Sequence, residues 1–131
     1  LGSAARAWAV ERPAEYALIY GSPVPGYQAP VERTGDPGTR VSFLLLALLV
    51  DVQRPHPRRS LAGPVGADFT ALRDNLGLAI GDDLLARGFL AFSALFGLIS
   101  FELFGQFQGS LTDCAAHFEH QLDRLADLLG I

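Results

Sequence analysis

An all-α fold is what this chain predicts, and three observations carry the prediction. From Asp82 to Phe107 large apolar side chains recur at steps of four and three: Leu85, Phe89, Phe92, Phe96, Ile99, Leu103 and Phe107. The closing stretch repeats the pattern through Leu111, Ala115, Phe118, Leu122, Leu125 and Leu129. A third apolar run, Phe43 to Val50, would suit a buried strand by hydropathy alone, but its Leu and Ala content favours helix over β-branched strand.

At 131 residues the chain reads as one domain, 1–131, long enough to bury a core, and at 50% apolar it is not disordered. All ten basic residues are Arg, and the net charge is −4. A surface that tracks phosphates needs a basic patch, and only Arg54, Arg58 and Arg59 approach one. The single Cys, Cys114, excludes an intramolecular disulfide and fits a reducing compartment. The longest uncharged run, Gly88 to Phe101, is shorter than the ~20 apolar residues that span a bilayer. A cytoplasmic protein with no membrane partner is the expectation. With no Met present, the sequence is expected to be part of something longer.

The first helix is expected over Ser3 to Arg12, with Trp8 on a face of alanines. Pro13 breaks it and suits the first turn of a second helix ending at Tyr20, with Tyr16, Ile19 and Tyr20 as its bulk and Gly21 as its stop. Ser22 to Gly38 is dense in Pro and Gly and is expected to be a loop, with Tyr27 tucked against the body. Thr39 caps a third helix. A second Pro-rich loop, Gln53 to Gly66, precedes a fourth helix over Ala67 to Leu76, lined by Phe69, Leu72 and Leu76. Asp82 and Asp83 then suit the N-terminus of the fifth helix, and Thr112 or Asp113 caps the last.

Catalysis has no candidate. No phosphate loop, dinucleotide fingerprint or nucleophile elbow occurs. His117 and His120 stand three apart around Glu119, but zinc needs a third and usually a fourth converging ligand, so no metal or cofactor is expected. Glu102 is costly in so apolar a helix. It is either exposed or paired with an Arg, for which Arg87 and Arg73 are candidates, or bonded across a dimer seam. The aromatic residues Trp8, Tyr16, Tyr20, Phe43, Phe69, Phe89, Phe92 and Phe96 are spread over five helices. They form either an ordinary core or an apolar pocket with Tyr hydroxyls as its polar points.

Two stretches go beyond physical pattern. RAWAVERPAEYALIYGSPVPGYQAP (Arg6 to Pro30) and FSALFGLISFELFGQF (Phe92 to Phe107) resemble the C-terminal domain of TetR/AcrR-family transcriptional regulators, in the branch called the WHG domain. The similarity extends through the closing QLDRLADLLG. It implies a helical domain that binds a small effector and dimerises, the last two long helices of each protomer forming a four-helix bundle. Effector binding would lower the operator affinity of an N-terminal helix-turn-helix domain, which is absent from this chain. On that basis the interface candidates are Ala91, Ala94, Leu98, Phe101, Glu102, Gly105, Cys114, Gln121, Leu125 and Leu128, and the expected partners are a second copy, an apolar effector and, through the absent domain, operator DNA. Phe92 stands where the branch often has Trp, and Phe96 where a His can precede the Gly, which points to an apolar effector. A stand-alone helical carrier using the same pocket is the alternative.

Overall fold

In a computed structural model describing residues 1–23, 25–28, 30–51 and 61–131, the chain forms six helices and, among the described residues, no strand. They are α1 (Gly2–Glu11), α2 (Pro13–Tyr20), α3 (Val31–Asp51), α4 (Gly63–Leu76), α5 (Asp82–Leu103) and α6 (Cys114–Leu129). The basic residues Arg54, Arg58 and Arg59 lie outside the described residues.

Local chemistry accounts for most boundaries. Arg12, at φ −130° and ψ 59°, breaks the helix between α1 and α2, and Pro13 fills the first position of α2 where a missing N–H costs nothing. Gly77 adopts φ 63° and ψ 32°, a left-handed stop in which its N–H and that of Leu78 return to the carbonyls ending α4. Gly105 turns the chain the same way at φ 74°, so α5 closes at Leu103 rather than running on to Phe107. Asp113 Oδ1 accepts from the Ala116 N–H at 2.9 Å and caps α6.

The start of α3 departs from the sequence reading. The helix begins at Val31, not at Thr39, and passes through Pro37, which has no N–H to return to the carbonyl of residue 33. Pro30 accepts the first bond from the Thr34 N–H at 3.0 Å, and Glu32 puts a negative charge in the first turn. Thr34 and Thr39 hydroxyls donate to the carbonyls of Pro30 and Gly35 at 2.8 and 3.1 Å. Gly35 and Gly38 lower the propensity by about 1 kcal/mol each without forbidding a helix. Tyr27 is also not tucked in, since it is 66% exposed.

The chain packs as two compact units, Leu1–Ala29 with Ser93–Ala126 and Pro30–Phe92 with Asp127–Ile131. In the first, Ala9, Tyr16, Leu95, Ile99 and Phe118 form a buried cluster from α1, α2, α5 and α6. In the second, Leu49, Ile80, Leu84 and Leu85 do the same for α3 and the start of α5, with Phe69 and Leu72 of α4 packed on them. By length and composition α5, at 22 residues with an 18-residue stretch of mean hydropathy 1.8, could cross a bilayer. Its buried side chains instead sit in these two cores, one after the other.

Among the described residues the second unit holds one buried acid. Asp82 opens α5 with Oδ1 3.0 Å from Arg73 Nη2 of α4, while Oδ2 accepts from the Leu61 N–H at 3.3 Å. The charges meet without hydrogen-bond alignment between them. Arg73 also donates to the Ile80 carbonyl at 3.2 Å and to Thr70 Oγ1 at 3.3 Å, tying down the turn between the helices. Replacing Asp82 with Ala strips the partner from a mostly buried guanidinium. A loss of about 2–3 kcal/mol is expected, read as a lower urea midpoint at unchanged slope.

Candidate functional site

Tyr16 is fully buried, so its hydroxyl needs a partner inside the protein. It lies 3.0 Å from the Phe96 carbonyl, to which it donates, and 2.8 Å from Ser100 Oγ, one turn further along α5. Around it the rings close up. Trp8 is 6.2 Å from Tyr16 between centroids, Tyr20 is 5.0 Å from it, and Phe104 is 6.3 Å away. Tyr20 stacks on Phe96 at 4.4 Å. Burial pushes the Tyr16 phenol up from its ordinary range, with the Ser100 contact pulling the other way. Burial and the neighbouring Tyr16 both push Tyr20 up.

Glu102 finds its partner two residues beyond Ser100. Arg6 of α1 donates from Nε to Oε2 at 2.7 Å and from Nη2 to Oε1 at 2.6 Å, a bidentate pair about a fifth exposed or less. The guanidinium also lies 5.5 Å from the centre of the Phe118 ring. The hydrogen bonds to Glu102 raise the Arg6 pKa further. Neither Arg87 nor Arg73 is the partner. Arg87 pairs with Asp83 at 3.0 Å and donates to the Leu128 carbonyl at 3.0 Å, and Arg73 is held by Asp82.

In the second unit the aromatics are open. Phe69 of α4 and Phe89 of α5 stack at 5.3 Å with an interplanar angle of 29°, and Phe89 is 47% exposed. Phe43 on α3 is equally exposed, and Phe92 is half-buried. The eight pocket candidates therefore divide. Trp8, Tyr16, Tyr20 and Phe96 fill the first unit with one another's rings, and Phe43, Phe69, Phe89 and Phe92 belong to the second. Among the described residues no three His, Cys, Asp or Glu side chains converge as metal ligands. His117 sets its ring edge-on to Phe107 at 5.3 Å.

The family described as tetracyclin repressor-like, C-terminal domain, matches residues 1–125. The chain belongs to that family. Similar proteins include the HTH-type transcriptional regulator Mb1846 of Mycobacterium bovis and the HTH-type transcriptional regulators MT1864 and Rv1816 of Mycobacterium tuberculosis. Each is 36% identical over 135 residues, covering 99% of this chain and 58% of the relative. The chain thus spans little more than half the length of these relatives.

One side of α5 keeps large apolar groups open to solvent. Leu90, Ala94, Gly97, Phe101 and Phe104 follow one another at steps of four and three, and the three large members are each about half exposed. Among the interface candidates, Ala94 and Phe101 lie on this line. Leu98 does not, because it packs against the first unit's own core, as does Leu125 of α6. Ala91 is 8% exposed and faces inward. Gly88, one turn before it, leaves room for Leu49 of α3, whose Cδ1 a Cβ at that position would strike, and this sets the buried line as Leu84, Gly88, Ala91, Leu95 and Ile99. Glu102 is closed by Arg6, and Gly105 lies in the turn. Cys114, Gln121 and Leu128 are half-buried on α6.

Arg6 and Ser100 escaped sequence reasoning because their partners are remote in sequence. Gly97 had a signal, a glycine inside a helix, and the structure leaves open space where its Cβ would be.

Both tyrosine shifts are upward, so their stabilisation is complete below the unfolded value near 10. It is lost as pH rises through the higher folded values. Unfolding followed by circular dichroism should therefore set in above about pH 10. Tyr16→Phe should cost about 1 kcal/mol at neutral pH and flatten, without abolishing, the alkaline loss.

Proposed function

We propose that this chain is the sensing and dimerising domain of a cytoplasmic TetR-like transcriptional repressor. An apolar small molecule bound here would lower operator affinity in a helix-turn-helix carried outside this chain. The observation that carries this reading is the match across 99% of the chain to relatives whose names make them HTH-type transcriptional regulators, while 58% of their length is covered. Coupling of that kind needs two sites and a rigid body between them. The packed first unit, with its Tyr16 and Arg6 connections to α5, supplies rigidity.

The open side of α5 supports the dimerising part of this reading. Leu90, Phe101 and Phe104 on the outward line of α5 are large apolar groups that one protomer leaves about half exposed. Gly97, open on the same line, would let a second helix approach closely. Native mass spectrometry of the purified protein is expected to show two chains with a small molecule retained. Two bare chains would remove the sensing part, and a single chain would remove the dimer.

Substitution locates the seam. Phe101→Glu should give a monomer by sedimentation without loss of helicity, and a persisting dimer places the interface elsewhere. Gly97→Ala should raise helix stability in the protomer by up to about 1 kcal/mol while weakening the dimer.

A further inference from the structure

Four of the eight candidate aromatics are used up in the first unit, where their rings and hydroxyl hold α1 and α2 to α5. The second unit is different, because Phe89 stacks on Phe69 and still leaves nearly half its surface to solvent. The pair sits at the edge of the core in which Leu49 enters the space at Gly88 and Leu72 packs from α4. Three helices fix its position.

The two described arginines nearest the pair in sequence, Arg73 and Arg87, are already committed. The neighbours of Phe69 on its own helix face are Val65, Gly66, Leu72 and Arg73, and those of Phe89 are Leu85, Ala86, Phe92 and Ser93. Arg73 is the only ion among these eight, and it would be the natural grip for a carboxylate or sulfonate resting on Phe69. It is instead engaged by Asp82, the Ile80 carbonyl and Thr70. Arg87, two residues before Phe89, is likewise held by Asp83 and the Leu128 carbonyl. An anion bound here would have to pull one of these arginines from its acid. The acids that hold them, Asp82 and Asp83, are answered in turn.

We propose that the Phe69–Phe89 pair is the effector contact, and that it takes a flat, uncharged, apolar ligand. This rests on the sensing role proposed above and adds the place and the charge class. N-phenylnaphthylamine and anilinonaphthalenesulfonate share one ring system and differ by a sulfonate, so they separate the possibilities. Titrated by fluorescence into the whole 131-residue chain, the neutral probe should saturate at one per chain and bind at least about tenfold tighter than the sulfonate. Phe89→Ala should weaken the neutral probe about tenfold. Phe89→Leu, which keeps apolar volume in case Ala perturbs the fold, should lose a smaller part. Leu18→Ser, at a residue 88% exposed on α2, should change nothing. Equal or tighter binding of the sulfonate overturns the charge class while leaving small-molecule sensing in place. Neutral-probe binding indifferent to both Phe89 variants overturns the location. Failure of both probes to saturate removes the sensing reading as well.

Discussion

Helix α5 carries apolar side chains on every side, and this surplus governs how everything else is placed. The chain covers it twice, with α3 and α4 around Leu84 and Leu85 in one unit and with α1, α2 and α6 around Leu95 and Ile99 in the other. Gly88 belongs to the same solution, since a bulkier residue would hold α3 away at Leu49. The outer line through Leu90, Phe101 and Phe104 is what one chain leaves uncovered. Asp82 and Glu102, near the two ends of the helix, are each answered by an arginine from another helix.

The helices themselves were legible because apolar period, proline position and glycine stops are local signals. Pro13 and Gly77 act in the structure as their chemistry dictates. The start of α3 was not legible, because proline and glycine lower helix propensity by amounts that neighbouring packing can override. Tyr27 was misjudged for a related reason, since a stiff segment does not have to lie down. Glu102 shows the limit most clearly. Its helix demanded a partner, but nothing short-range could choose Arg6, 96 residues away, over Arg87 or Arg73.

The candidate site was half legible. An aromatic set was visible in the sequence, but core and pocket draw on the same residue types, and only packing separates them. Trp8, Tyr16, Tyr20 and Phe96 close on one another, whereas Phe43 and Phe89 keep open faces. Leu98, expected at the interface, packs in part against the first unit's own core. A helix with large side chains all round gives a weak orientation signal, and Gly88, the small residue that lets Leu49 in, was not singled out in the sequence.

Trp8 is the only tryptophan in the chain, and it packs beside Tyr16, partly buried. Its emission therefore reports on one place, the junction of α1 with α2. Loosening of that junction would shift the emission to longer wavelength as the indole meets water. Events among the phenylalanines of the other unit add no indole signal of their own. The molecule thus comes with an optical gauge built into its tightest core, readable without any label.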